Sequence, residues 1–373
     1  MKKRWLTPDG QVVPNRGQGY YPSDIRRLYN IPLNLDGNGQ TMGILEFSSG
    51  YRLQDALAFW SRHKIVPPNV EFVSVDGTRH TVGPNSQDAE ASLDLQWAGA
   101  LAPGAKLVVY EANGGQTYAS FSKAMSRTLR YILNQGAQRP SVITISYGDA
   151  EASFGQAALV EWDALISQLA AQGTIVCSAS GDDGAYGMHI LTKRRIRRAD
   201  APASLPSVVA VGGTSLHPDG VETAWTYHGP KNGGATGGGF SRIFKKPSYQ
   251  KAFSWKMRGL PDVAFNADPA YGYQIVFRGQ PIVVGGTSVS SPVFAAILAL
   301  ANQNRMALGL PAFTAMPNWL YEHKNAGFFR DIVKGNNSFD GVRGYTAHRG
   351  WDACTGYGSM DVTKFVAAAS QYV

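Results

Sequence analysis

The chain has 373 residues, of which 44% are hydrophobic, so it is long enough to bury a core of its own. Its formal charge of +8, from 35 basic and 27 acidic residues, is moderate, and the basic run 193–198 lacks the interleaved aromatic residues of a nucleic-acid-binding surface. With two cysteines it is not a disulfide scaffold, and no apolar run reaches membrane-spanning length.

Apolar, β-branched runs alternate with helical patterns through the first half of the chain. This alternation predicts an α/β fold with a doubly wound, mostly parallel sheet and helices on both faces. Ligands bind such sheets at the carboxyl ends of the strands. The predicted strands are 41–47, 70–75, 106–110, 142–146 and 174–178, and the predicted helices are 53–63, 87–101, 118–133 and 157–171.

The second half continues with predicted strands at 208–213 and 282–286 and a long, apolar helix at 289–305 that should be buried. Residues 217–280 between them are rich in glycine and aromatic residues and are predicted to form loops and hairpins. No shift in composition marks a linker. We therefore predict a single domain over 1–373.

The tetrapeptide Gly-Gly-Thr-Ser occurs twice, at 212–215 and at 285–288. The second copy precedes the long helix, so Ser288 is expected at a helix N-terminus, where free N–H groups and the helix dipole favour negative charge. An oxyanion hole requires such a place. The first copy runs into a turn. A Gly-Thr-Ser sequence at a helix start is more often an N-cap than a nucleophile, so the motif alone leaves both readings open.

A serine nucleophile needs a base, which is usually histidine. The Gly-Thr-Ser turn followed by Ser-Pro is similar to subtilisins, whose histidine stands in a His-Gly-Thr-His segment. Here no histidine has that context: they are His63, His80, His189, His217, His228, His323 and His348. The sequence therefore predicts a different base, although a histidine-dependent subtilase stays open as a rival.

The predicted helix 87–101 carries two carboxylates on its apolar side. Glu90 and Asp94 lie about 40° apart around the helix, in the stripe formed by Leu93, Trp97 and Leu101. Burying two acids is costly unless they share a proton or serve a function. A close carboxyl pair with one shared proton can act as a base and then as an acid.

Residues 180–184, Ser-Gly-Asp-Asp-Gly, directly follow the predicted strand 174–178. An Asp-Gly cluster at this place is usually a turn. If Asp182 faces Ser288, its carboxyl group must be protonated to donate a hydrogen bond to a tetrahedral oxyanion, because an ionised carboxylate would repel that charge.

Taken together, these residues resemble the sedolisins, the serine-carboxyl peptidases. The resemblance implies a subtilisin-like fold in which Ser288 is the nucleophile, Glu90 the base, Asp94 its partner and Asp182 the oxyanion donor. Glu46 matches an acid that extends the hydrogen-bond chain, and Tyr147 stands near the substrate where the family often has tryptophan. The matching segments are 45–51, 90–105, 143–148, 180–184, 237–250, 261–269, 285–292 and 331–361.

The resemblance also implies one structural Ca²⁺ near the C-terminus. The corresponding residues are Asp331, Ile332, His348, Gly350 and Asp352. The two aspartates would supply carboxylate oxygens and the other three residues backbone carbonyls, a donor set made of oxygen only, which suits Ca²⁺. Because a carbonyl binds irrespective of its side chain, His348 in place of the usual glycine removes no ligand.

The function that we predict is that of a serine-carboxyl endopeptidase acting through an acyl-enzyme on peptides or unfolded proteins, best at acidic pH. By resemblance we expect an extracellular or secreted monomer without nucleic-acid or membrane partners. The family is made with a propeptide, which is not present in this chain; it is either a processed form or a member without one. An inactive peptide-binding protein on the same fold is the alternative. The cleavage preference, and the pairing of Cys177 with Cys354, stay open.

Overall fold

A computed structural model of the protein describes residues 19–80, 82, 88–188, 195–227 and 233–371. Its centre is an eight-stranded sheet that is parallel except for one edge strand. The strands of this sheet, in chain order, are β1 (Thr41–Phe47), β2 (Asn69–Ser74), β3 (Lys106–Ala112), β4 (Val142–Ile145), β5 (Ile175–Ala179), β6 (Val209–Leu216), β7 (Glu222–Ala224) and β8 (Val263–Asn266).

The order of the strands across the sheet is β7-β6-β5-β4-β1-β3-β2, and β8 pairs with β6. The helices of the described residues lie around this sheet. They are α1 (Pro22–Leu28), α2 (Leu53–Arg62), α3 (Asp88–Leu101), α4 (Tyr118–Leu133), α5 (Glu151–Phe154), α6 (Gln156–Ala171), α7 (Thr287–Ala307), α8 (Met316–Glu322) and α9 (Val362–Ala369). No helix in the described ranges is long and apolar enough to cross a membrane.

Each face of the sheet has its own core because successive side chains of a strand point to opposite faces. In β1, Met42 and Ile44 pack into the core that contains α3 and α7. Leu45 and Phe47 pack into the core that contains α4 and α6. The prediction of a doubly wound sheet with helices on both faces is therefore confirmed.

The second half of the chain differs from the prediction in two places. The strand predicted at 282–286 is present two residues earlier, at Gln280–Val284, and it pairs with Tyr273–Phe277 in a hairpin outside the central sheet. Strand β8 lies inside the region predicted to hold only loops and hairpins, yet it joins the central sheet. Its four residues are too few to show periodicity, and they form a strand because Val263 and Phe265 are buried in the core.

Shorter antiparallel ladders surround the sheet. They pair Asp149–Ala150 with Asp200–Ala201, Tyr186–Met188 with Arg195–Arg197, Thr226–Tyr227 with Gly234–Ala235, Gly239–Lys245 with Met257–Leu260, and Phe329–Arg330 with Ser359–Met360. Single turns of 3₁₀ helix cover Gly136–Gln138, Ser248–Gln250 and Pro269–Tyr271.

The two cysteines are free thiols that are both buried. Cys177 lies in β5, and the Cys354 thiol is 2.9 Å from the carbonyl oxygen of Tyr345. In the basic run 193–198, Lys193 and Arg194 both lie outside the described residues. Arg195 forms an ion pair of 3.6 Å with Asp340, so at least this part of the run is used within the protein.

Candidate active site

Ser288 is the second residue of α7 and so lies at the helix N-terminus predicted for it. The helix is preceded by Gly286, whose φ of +104° lies in the region that favours glycine. The Gly286 N–H donates to the carbonyl of Ala267 at 2.6 Å, which holds the turn against β8. The Ser288 hydroxyl is buried and donates to the carbonyl oxygen of Ser146 at 3.4 Å. Ser288 therefore lies where the first N–H groups of α7 point.

Asp182 is held against the same helix end. Its Oδ1 accepts the Thr287 N–H at 2.8 Å and lies 2.7 Å from the Thr287 hydroxyl. Burial raises the pKa of Asp182 well above its usual value, the charges of Asp183 and Glu90 add to this, and the Thr287 hydrogen bonds oppose it. Because both Thr287 donors reach Oδ1, the proton of the neutral acid belongs on Oδ2. Asp182 can thus donate a hydrogen bond next to Ser288.

Glu90 and Asp94 are both buried, with 3% and 0% of their surface exposed. All fourteen residues of α3 are buried, so this helix has no solvent face. The apolar stripe inferred from the sequence therefore predicts the burial of the acids correctly but for an incomplete reason. The helix packs on the sheet beside α7, and α1, α2 and the strand Tyr273–Phe277 also contact it. Burying two acids in such a helix costs free energy that only pairing or function offsets.

Ser146 connects the second acid to the serine. It follows β4 directly, and its hydroxyl donates to Asp94 Oδ1 at 2.9 Å and lies 3.2 Å from the carbonyl oxygen of Ser288. The hydroxyl of Thr144 lies 2.8 Å from that of Ser291 one turn along the helix. These contacts fix the distance between α7 and the end of β4. Sequence analysis gave Ser146 no role, because a serine after a strand has no distinguishing local signal.

Glu90 acts electrostatically on two other groups of the site. Its charge is among the causes that raise the pKa of Asp182 and of Tyr147, after burial in both cases. The Tyr147 hydroxyl donates to Glu46 Oε2 at 2.5 Å, and both residues are buried. The structure therefore brings Glu46, Glu90 and Tyr147 within electrostatic reach of one another, and Asp94, Asp182 and Ser288 to the start of α7.

The histidines of the described ranges contact residues other than Ser288. The ring of His63 contacts Tyr21 and Phe59, His80 contacts Glu111, His217 contacts Tyr271, His323 contacts Trp319, and His348 lies in an exposed loop. His189 and His228 lie outside the described residues. The described site is thus built on carboxyl groups.

The residues predicted to bind Ca²⁺ lie on one folded loop. The Gly350 N–H donates to Asp331 Oδ2 at 2.8 Å, and the His348 N–H donates to Asp352 Oδ2 at 3.1 Å. Gly350 has a φ of +78°, which lets the loop turn back over Asp331. The two carboxylates supply oxygen donors of the kind that Ca²⁺ takes, although a full set of six to eight ligands needs further oxygens such as backbone carbonyls. The described residues contain no cluster of three or more acidic, histidine or cysteine side chains that could hold a metal.

Comparison with known proteins adds an independent result. The model of the subtilase family matches residues 81–314. Kumamolisin of Bacillus sp. (strain MN-32) is 39% identical over 91% of this chain, and tripeptidyl-peptidase 1 of Canis lupus familiaris is 32% identical over 97% of it.

The chain belongs to the subtilase family, within its sedolisin group.

A solved structure of Pseudomonas sedolisin, described as a serine-carboxyl proteinase in complex with two molecules of pseudo-iodotyrostatin, supports this placement. It matches with a TM-score of 0.80 and 29% identity, covering 94% of this chain and 97% of that one. The subtilisin-like fold of the sedolisins is thereby established for this chain. The chain spans 62% of the length of kumamolisin and 66% of the dog peptidase.

Proposed function

We propose that this chain is a serine-carboxyl endopeptidase that hydrolyses extended peptides through an acyl-enzyme formed on Ser288. The observation that carries the proposal is the position of Asp182. A buried acid with a raised pKa is bound to Thr287, the neighbour of Ser288, at a helix N-terminus. Burial favours the neutral form of this carboxyl group, which can donate a hydrogen bond where an oxyanion would form beside Ser288.

In the first step, the Ser288 oxygen bonds to the carbonyl carbon of the substrate while its proton passes to Glu90. The oxyanion that forms accepts a hydrogen bond from the protonated Asp182 and lies near the positive end of α7. Glu90 then gives the proton to the amine, and the C–N bond breaks. This leaves an ester between Ser288 and the acyl part of the substrate.

In the second step, a water molecule replaces the amine. Glu90 takes a proton from the water, whose oxygen attacks the ester carbonyl, and then returns the proton to the Ser288 oxygen as the C–O bond breaks. Asp94 shares charge with Glu90 and is oriented by the Ser146 hydroxyl. Glu46 accepts a hydrogen bond from the Tyr147 hydroxyl and extends the chain of acids beyond Glu90.

The mechanism predicts activity at acidic pH. Asp182 must keep its proton, and the carboxyl pair must hold one as well. Since burial raises the pKa of Asp182, its protonated form persists to a higher pH than an exposed aspartate would allow, and activity falls as the pH rises through that value. We further propose that a single catalytic domain, acting outside the cell as a monomer, carries this activity.

The test is cleavage of a denatured protein from pH 2 to pH 8 by the wild type and by Ser288→Ala, with products identified by mass spectrometry. We expect cleavage that peaks at acidic pH and is lost in the variant. An activity maximum at pH 8 or above would contradict the acidic mechanism. A folded, calcium-loaded wild type that binds peptides without cleaving them would overturn the proposed activity in favour of a binding protein.

We also propose that Asp331 and Asp352, with the carbonyls of Ile332, His348 and Gly350, hold one Ca²⁺. Bound there, the ion would join two segments of the chain and add structural stability. Saturating Ca²⁺ should stabilise the fold by about 2–3 kcal/mol at a hundredfold excess over the dissociation constant. The measurement is the melting temperature in calcium and in chelator.

Asp352→Asn should abolish the calcium-dependent rise in melting temperature. Asp219→Asn, at an acid that accepts the local N–H of Val221 in an exposed turn, is the matched control and should leave it intact. Equal melting temperatures for the wild type in calcium and in chelator would contradict this site.

A further inference from the structure

The proposed mechanism gives no role to Glu111, one of several buried acids outside it. Glu111, near the end of β3, has 2% of its surface exposed and stands opposite Glu46 of β1 in the register of the sheet. Neighbouring strands lie about 4.8 Å apart, and paired residues of parallel strands point to the same face. That face is the one on which α3 packs, because Ile44 and Val109, two residues earlier in each strand, belong to the α3 core. Glu111 therefore lies directly beside Glu46.

The partner of Glu111 is His80. The His80 Nδ1 lies 3.4 Å from Glu111 Oε2, and its Nε2 lies 2.9 Å from the carbonyl oxygen of Tyr51. A carbonyl oxygen can only accept, so Nε2 carries a proton. The contact at Nδ1 then needs a second proton, either on Nδ1 or on the carboxyl group, since two lone pairs would repel. The pair thus holds one proton between the two residues.

The surroundings of this pair are acidic. Asp88 of α3 acts electrostatically on both residues, and Asp76, which follows β2, acts on Glu111. Asp76 is itself paired with Arg127 at 2.8 Å. The rings of Tyr51 and Phe72 pack against the imidazole of His80, with distances between ring centroids of 4.4 Å and 4.6 Å.

The imidazole of His80 is the one group of the pair that reaches solvent, with 28% of its side chain exposed. Its hydrogen bond to Glu111 raises the pKa of His80, and burial raises the pKa of Glu111. At the acidic pH of the proposed reaction, His80 is therefore a cation. It stands one strand away from Glu46 and on the side of the sheet where Glu90 lies.

We propose that His80 and Glu111 are positioning residues for the proposed base, and that the imidazolium of His80 keeps Glu46 and Glu90 ionised in a buried, acidic environment. The pair touches neither substrate nor Ser288. It acts through Glu46, which connects it to Tyr147 and Glu90. This inference rests on the proposed function, because the pair can affect catalysis only if Glu90 is the base.

The kinetic test compares the pH profile of kcat/KM for the wild type, His80→Gln and Glu111→Gln. At the low-pH side of the profile, which we call the acidic limb, kcat/KM falls because the base becomes protonated. Loss of the cation in His80→Gln should make the base harder to ionise. The acidic limb should therefore move to higher pH by about half to one unit. One unit below the wild-type limb, kcat/KM should then fall about three- to tenfold, while on the plateau it stays within about twofold. His323→Gln, at a histidine that contacts Trp319, is the matched control and should leave the limb in place.

Glu111→Gln removes an acid and keeps the cation, so it should leave the acidic limb where it is or move it to lower pH. Damage to the fold would instead move both variants in the same direction. A limb that rises in Glu111→Gln as it does in His80→Gln, or one that stays in place in His80→Gln, would overturn the proposal.

A second measurement does not depend on peptidase activity. In Ser288→Ala protein labelled at histidine, the NMR titration of His80 should give a pKa that falls when Glu111→Gln is added. An unchanged pKa would overturn the pairing. If Ser288→Ala protein cleaves substrate as well as the wild type, the proposed function fails, and this titration still decides whether the pair exists.

Discussion

The two copies of Gly-Gly-Thr-Ser have the same sequence and different structures. Residues 212–215 lie inside strand β6, where Gly213 is so closely packed that an added Cβ would lie 2.6 Å from the Cβ of Ala267. Residues 285–288 form a turn and the start of α7. The tetrapeptide thus has no structure of its own, and the chain on either side of it decides between strand and helix.

Both copies direct their hydroxyl groups at polar partners. In the first copy, Thr214 donates to Glu222 at 2.7 Å and Ser215 donates to Asp268 at 2.6 Å. In the second, Thr287 binds Asp182, whereas the contact of the Ser288 hydroxyl within the described part of the chain is a 3.4 Å hydrogen bond to a carbonyl oxygen. Ser215 is held by a strong acceptor, and Ser288 is held weakly. A nucleophile must leave its hydrogen bond to react, so the weaker contact of Ser288 agrees with the role that we propose for it.

The largest expected effect separates the two serines. Ser288→Ala should lower kcat/KM by about 10⁴-fold or more because it removes the attacking oxygen. Ser215→Ala should keep activity within about threefold and lower the free energy of unfolding by about 1–2 kcal/mol, since it leaves the buried Asp268 short of a donor. Steady-state kinetics and urea unfolding measure the two quantities. Equal losses of activity in both variants would show that the copies do not differ in function.

The next effect separates the two aspartates. Asp182→Asn preserves a donor and should lower kcat about tenfold, whereas Asp182→Ala should lower it by about 10²–10³-fold. In the asparagine variant, the activity should no longer fall at high pH through loss of the Asp182 proton. Asp268→Asn is the control and should change neither kcat nor its pH dependence. The measurement is the pH profile of kcat for all three variants.

The pH dependence of stability should have the same sign for Asp182 and Asp268. Burial raises the pKa of Asp182 and of Asp268, so each contributes stability below the pKa of an unfolded aspartate and loses it as the pH rises through its raised value. Relative to either asparagine variant, the wild type should lose unfolding free energy from about pH 4 upward. A wild type that gains stability over Asp182→Asn in this range would contradict a raised pKa.

The smallest effect separates the two threonines. Thr287→Val keeps the N–H bond to Asp182 and removes the hydroxyl, so kcat should fall about tenfold with KM unchanged. Thr214→Val should leave kcat unchanged and cost about 1–2 kcal/mol of stability, because the half-buried Glu222 loses a donor. Kinetics and chemical denaturation distinguish the two, and a loss of kcat in Thr214→Val would argue against a role specific to the second copy.

Local patterns were sufficient for much of the fold and for part of the site. Alternating strand and helix signals predicted the parallel sheet, and the strand 41–47 has the bounds predicted for it. Glycines before an apolar run predicted a helix from residue 289, and α7 starts two residues earlier, at Thr287. These features depend on residues within a few positions of one another, and periodicity records them directly.

The contacts that make these residues a site were decided by tertiary structure. Ser146 and Ser288 are 142 positions apart, and Asp182 and Thr287 are 105 apart. Strand β8, the complete burial of α3 and the pairing of His80 with Glu111 likewise depend on which elements pack together. The sequence by itself determined the elements and the chemical types of the site. Only packing brought them together, because hydrogen bonds and burial depend on distance in space, which a linear pattern does not contain.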